Sequence, residues 1–293
     1  MSSNDPNSHI FLKALRGEEH KGVPCWFMRQ AGRYLPGYQK VRSKVDLLTL
    51  CKTPDLAAEV TLEPLELFGV DATIIFSDIL VPLEAMGLEV TFGDRGPHMA
   101  NPLQNKADVD RLGIPDPVAE TGFVMDIVRE VKPRVDGRVP VIGFAGAPFT
   151  LACYALEGSP SRTFEKAMKM VYEEPKVMRD LLDKIADTVA LCLKAQIEAG
   201  AQAVQLFDTW GGLLGHEAFR ELSLGYCMRV MDQLKDCGVP RILFIKGAGR
   251  YLSEMAKLDV EALGVDYTVD PAWARDQVAG NAAIQGNLTP HSL

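Results

Sequence analysis

No Cys-x-x-Cys pair and no grouping of cysteine with histidine occurs in this chain: Cys25, Cys51, Cys153, Cys192, Cys227 and Cys237 are scattered. Such spacing encodes neither a disulfide framework nor a zinc site, and a reducing cytoplasm fits it. No Gly-x-Gly-x-x-Gly follows the first apolar segment, and no phosphate loop is present. The residues through Arg16 and Glu18 are polar and charged, without the apolar core of a signal peptide. The uncharged stretch Pro140 to Leu156 is broken by Gly143, Gly146 and Pro148 and is short for a bilayer span, so it reads as a buried strand entering a helix. An excess of positive charge is missing too. The net charge of −8 argues against general affinity for nucleic acid or an anionic membrane.

What is present is ample apolar material: 47% of 293 residues, enough for one large core, and α/β barrels commonly reach this size as a single domain. The start, residues 1–9, has the composition of a disordered segment. Ile10, Leu12 and Leu15 then suit a short helix. Apolar runs at Cys25–Met28, Ala72–Phe76, Val139–Phe144, Ala203–Phe207, Ile242–Ile245, within Leu263–Val269 and at Ala282–Gln285 predict seven buried strands. Helical segments alternate with them. Thr53-Pro54-Asp55 is a cap-then-proline start, a helix runs from about Gly122 to Val135, and Pro175 to Gly200 holds the clearest amphipathic helix, with Leu181, Leu182, Ile185, Val189 and Leu193 inward. A further helix lies within Glu217–Asp236, and Glu89–Pro117 reads as a polar excursion between units. This alternation predicts parallel strands with crossover helices.

Against the acidic whole, the segment Lys21 to Lys44 carries Lys21, Arg29, Arg33, Lys40, Arg42 and Lys44 and no acidic residue. Arg29 stands at the end of the first apolar run and Arg33 follows on a loop punctuated by Gly32, Pro36 and Gly37. A guanidinium is a rigid fork of donors suited to carboxylate or phosphate, although exposed arginines are ordinary and make structural ion pairs. The regularity that favours function is positional. Arg29, Asp78, Asp208, Lys246, Asp270 and Asn287 each fall at or just past the C-terminal end of an apolar strand. In a (β/α)8 barrel those ends form one face, where active sites are assembled from several strands. A doubly wound open sheet is the alternative, weakened by the missing glycine fingerprint.

The stretch Met28-Arg29-Gln30-Ala31-Gly32-Arg33-Tyr34-Leu35-Pro36 resembles the uroporphyrinogen decarboxylase family. Phe76-Ser77-Asp78-Ile79-Leu80, Gly143 to Thr150, Phe207-Asp208-Thr209-Trp210-Gly211-Gly212 and Gln285-Gly286-Asn287-Leu288 extend the resemblance in order over nearly the whole chain. It implies a single (β/α)8 barrel of the TIM type spanning 1–293, a homodimer, and removal of carbon dioxide from the four acetate side chains of uroporphyrinogen to give coproporphyrinogen. This is a step of haem and chlorophyll biosynthesis that uses no metal or organic cofactor. Carried over by position, Asp78 meets the pyrrole N–H groups at the macrocycle's centre, and Arg29, Arg33 and Arg42 bind carboxylates, with Arg29 nearest the chemistry. Tyr154 matches a site tyrosine, and Thr209 stands where other members place serine or threonine. The family's histidine after the eighth strand has no counterpart. With seven strands counted, the eighth β/α unit is expected to be missing and the chain to be C-terminally incomplete.

The chemistry suits these residue types. A substrate with eight carboxylates needs locally concentrated cations, and a fixed carboxylate facing the pyrrole nitrogens stabilises the cation formed before carbon dioxide leaves. Each residue has a plainer alternative: helix capping for Asp78, Asp208 and Thr209, a place at the core's edge for Tyr154, the surface for Lys246, and satisfied or exposed histidines for His98 and His216. The proton donor at the pyrrole α-carbon stays open between Arg29 and a bound water. Two rival functions differ in kind. One is a corrinoid- or thiol-linked methyltransferase on the same barrel, which would need a zinc site. The other is a tetrapyrrole-binding protein without turnover.

Overall fold

Six parallel strands in sequential order organise the molecule. β1 (Thr73–Ile74) pairs with β4 (Val141–Gly146), then follow β5 (Ala203–Asp208), β6 (Arg241–Ile245), β7 (Ala262–Gly264) and β8 (Ala283–Gln285). β2 (Val90–Gly93) and β3 (Gly96–Met99) form a separate antiparallel hairpin. The computed structural model describes residues 8–93 and 96–292. The registers advance without a switch point, Ile74 opposite Ile142, Val204 opposite Arg241, Leu263 opposite Ile284. A doubly wound sheet would reverse its strand order at such a point.

The curl of the sheet is visible in what its inner face encloses. Ile74, Ile142, Ala203, Phe207, Ile242 and Ala262 come from five strands yet form one cluster, which Ala283 of β8 also packs against. Phe11, Leu12 and Leu15 of the helix Ile10–Leu15 join that cluster and stopper the N-terminal ends of the strands. The helix begins where His9 caps it, its ring accepting from Phe11 N. Outside, Pro54–Phe68, Pro117–Val135 and Pro175–Ala199 cover the opposite sheet face. The last has Leu181, Leu182, Ile185, Val189 and Leu193 fully buried, as its pattern requires. Asp116 caps Pro117–Val135 by accepting from Val118 N and Ala119 N. Thr53 stands at the N-cap of Pro54–Phe68, but its hydroxyl donates back to Thr49 O.

The structure corrects the sequence reading in several places. Cys25–Met28 is not a strand. Asp71 N donates to Cys25 O (2.8 Å), after which the buried carboxamide of Gln30 takes the place of the ladder, accepting from Phe27 N and donating to Ala72 O, each at 3.2 Å. Across the other edge, Trp26 Nε1 donates to Gln285 Oε1 (2.9 Å). The excursion after Glu89 contains the hairpin. The strand expected within Leu263–Val269 ends at Gly264, and Asp266 turns the chain by accepting from Gly247 N and Thr268 N. The helix expected within Glu217–Asp236 is interrupted by a π-helical stretch, Phe219–Leu224, that brings Ser223 onto Asp208.

Candidate active site

Asp78 lies on the loop after β1, where Oδ1 accepts from Leu80 N (2.9 Å), so the capping alternative is partly real. Among the described residues the other carboxylate oxygen has no such bond. Burial pushes the Asp78 carboxyl above the usual range, and the Leu80 N–H and the nearby Arg29 guanidinium oppose that shift. By surface area the side chain is half-buried, and it lines a small cavity with Ser77, Thr121 and Gln196 as well as Val81, Val124, Met125 and Cys192.

The six cations of Lys21 to Lys44 form no salt bridge among the described residues, although Arg134, Arg138, Arg220, Arg229 and Arg241 elsewhere all do. Arg29 and Arg33 are exposed. Arg42 is half-buried and donates to Val45 O. The loop bearing them is shaped from within. Glu63 accepts from Gly37 N (2.6 Å) and Tyr38 N (2.8 Å), neutralising the start of the helix Pro36–Arg42. A Cβ at position 37 would meet Glu63 Oε1 at 2.6 Å and push the carboxylate off the two N–H groups it holds. Cys51 ties the two groups electrostatically. Its thiol is pushed up to about 12 by burial first and then by Asp78, with Arg42 opposing.

Tyr154 sits on the helix Pro148–Glu157 after β4, half-buried, its rings' neighbours being Phe164 at 5.8 Å and Trp210 at 6.3 Å. Burial raises its pKa, the Trp210 indole lowers it, and the charges of Asp78 and Arg29 both reach it. Asp78, Arg29 and Tyr154 are therefore brought into one electrostatic neighbourhood from three separate segments. Thr209 is half-buried in the turn after β5. Lys246 follows β6, exposed, with Nζ 5.9 Å from the centre of the Trp210 ring.

The other strand-end acids have structural duties. Asp208 is fully buried and accepts from Thr150 Oγ1 (2.6 Å), Ser223 Oγ (2.6 Å) and Gly211 N (3.0 Å). Burial raises its pKa against those donors. Asp270 caps the helix Pro271–Val278 through Trp273 N (2.8 Å), and Asn287 donates to Asp266 O and Val269 O. His216 packs 5.5 Å from Tyr251, and His98 is exposed on the hairpin. Sequence reasoning passed over Gln30, Glu63 and Trp210 as individuals. The only signals were the glycine and proline spacing after Gln30 and the aromatic within Asp208-Thr209-Trp210, and Glu63 had none. Among the described residues no three His, Cys, Asp or Glu side chains converge as a metal ion requires.

Fold and site define a class: an enzyme on a parallel (β/α)8-type barrel, with Asp78 past the end of a strand in electrostatic reach of Arg29 and Tyr154. The profile of the uroporphyrinogen decarboxylase family matches residues 6–293, and the chain belongs to that family. The uroporphyrinogen decarboxylase of Actinobacillus pleuropneumoniae serotype 5b is 49% identical over 99% of this chain and 84% of its own length. That of Methylococcus capsulatus is 48% identical over 98% and 83%. That of Nitrosococcus oceani is 50% identical over 96% and 80%. Among solved structures, a methyltransferase from Methanosarcina mazei superposes with a TM-score of 0.79 at 22% identity, covering 95% of this chain and 81% of the other, a likeness of fold.

Proposed function

We propose that this chain decarboxylates uroporphyrinogen at the face formed by Arg29, Arg33, Arg42, Asp78, Tyr154 and Thr209. The observation that carries the reading is the pairing of a cation-rich, acid-free loop with Asp78, a carboxylate held in a desolvated place within reach of the Arg29 charge. The arginines bind substrate carboxylates, and a bidentate fork selects which acetate is presented. Asp78 accepts from the pyrrole N–H groups and stabilises the positive charge that arises when the α-carbon is protonated. The C–C bond to the acetate carboxylate then breaks, its electron pair moves into the cationic ring, protonation of the new methylene yields a methyl group, and loss of the proton first placed on the α-carbon restores the neutral pyrrole, so that one proton is consumed for each carbon dioxide released. The protonated pyrrole is the electron sink, so the chemistry calls on no other group. Tyr154 and Thr209 are donors to the bound carboxylates.

The same reading makes 1–293 one barrel domain, cytoplasmic and homodimeric. Among the described residues no helix is long and apolar enough to cross a membrane. The test is anaerobic incubation with uroporphyrinogen, oxidation, and counting of carboxylates on the porphyrins recovered. Stepwise loss from eight toward four is expected. Unchanged octacarboxylate from both this chain and a version extended by the end of a relative refutes the proposal.

A further inference from the structure

One buried side-chain polar atom among the described residues lacks a hydrogen-bond partner, the indole Nε1 of Trp210. Such an atom in a native fold calls for a reason. Its surroundings are firmly built. Trp210 N donates to Thr150 Oγ1 (3.0 Å), whose own hydroxyl is held by Asp208. The ring lies 4.7 Å from Phe164, and Phe164 is held left-handed at φ 49°, an unfavourable conformation for a bulky residue. That strained backbone sets the fully buried Phe164 ring against both Trp210 and Tyr154. The orphaned N–H thus belongs to a fixed aromatic triad whose third member faces the site.

We propose that Trp210 is a positioning residue for Tyr154, its indole N–H donating to the tyrosine oxygen in the substrate-bound site so that the tyrosine's own proton points to a substrate carboxylate. The argument is one of valence. An indole only donates, whereas a phenol both accepts and donates. Once Trp210 fills the accepting side, Tyr154 has a single remaining role, as donor. Bonds of this kind are often long before the substrate arrives and tighten in the complex. The indole already lies near enough to the phenol to lower its pKa as a hydrogen bond would, yet the two groups miss the geometry of a formed bond, so the contact is short of complete without substrate.

This inference rests on Tyr154 facing substrate as proposed above, and the test separates the two. Trp210→Phe keeps a ring without the N–H, and Trp210→His keeps a ring N–H. Trp210→Phe is expected to lower kcat about three- to tenfold, the scale of one hydrogen bond, with KM changed less than about twofold. Trp210→His should recover most of the loss. The titration of Tyr154, taken as the ultraviolet difference from Tyr154→Phe, should move to higher pH in Trp210→Phe. Adding Trp210→Phe to Tyr154→Phe should cost nothing further. An unmoved titration, or losses that multiply independently, overturns the proposal. Normal turnover by Tyr154→Phe overturns the role of Tyr154 itself, while the titration still reports the contact. Should Trp210→Phe fail to fold, the indole N–H resonance of Trp210 in the natural chain is compared with that in Tyr154→Phe. A shift supports the bond, and an unchanged resonance overturns it.

Discussion

Asp78 and Asp208 are both aspartates just past a strand, and both are pushed toward neutrality by burial, yet their tasks differ because their partners do. Asp208 is held by Thr150, Ser223 and Gly211 N, with the Cys227 thiol a weaker fourth donor, and so ties separate segments together. Replacing it with Ala strands Thr150, Ser223 and Gly211 N, at about 1–3 kcal/mol for each group left unpaired, so urea unfolding of Asp208→Ala should show a loss of at least about 3 kcal/mol. Asp78 has one internal donor, and its folded pKa is raised. A raised carboxyl favours the fold below its unfolded pKa and loses that contribution as pH rises through the folded value. At neutral pH the ionised group therefore costs stability. Asp78→Asn is expected to melt higher than the parent at pH 7, with the gap closing in acid, while decarboxylation falls by at least about a hundredfold. Near-normal turnover in the folded variant refutes the assignment. In the parent, kcat/KM should fall as pH drops through a value above the ordinary carboxylate range. Arg29→Lys keeps the charge but loses the fork, and kcat/KM should drop about ten- to hundredfold. Equal activity would mean a diffuse cation patch.

At the scale of elements, the loop of arginines depends on Glu63 of the helix Pro54–Phe68, which fixes Gly37 and Tyr38 from beneath. Glu63→Ala removes two charge-assisted bonds worth about 1.5–3 kcal/mol each before the loop relaxes. KM should rise several-fold with little change in kcat, because carboxylate binding loosens while Asp78 is untouched. A fall in kcat alone would argue against this division. Glu63 was illegible in the sequence because nothing local links it to residue 37. The alternating strands and helices were legible, since apolar runs bounded by turn residues declare themselves, and so was the polar row at the strand ends. Cys25–Met28 was misread for a physical reason: its composition is that of a strand, but the Gln30 side chain occupies the bonding positions, and no pattern announces a side chain standing in for a ladder. Asp266 shortened β7 in the same way.

For the whole molecule, the contrast between a net charge of −8 and one acid-free cationic segment sets how substrate arrives. An anion with eight carboxylates is repelled by most of the surface and drawn to one face, so KM should climb steeply between about 0.05 and 0.5 M salt as the field is screened, with kcat nearly flat. A KM indifferent to salt would place binding on hydrophobic contact instead.

The helix Ile10–Leu15 fills the end of the barrel at the strands' N-termini with Phe11, Leu12 and Leu15. A vessel stoppered at its base has one mouth, and every traveller shares it. If Asp78 acts as proposed, a macrocycle with four acetates must be turned to offer each one to it, and each carbon dioxide has to slip out past the ring that released it. Turning demands that the grip be loosened three times. The arginines therefore have an upper bound on their strength as well as a lower one, because a hold firm enough to immobilise the ring would end the reaction after its first acetate.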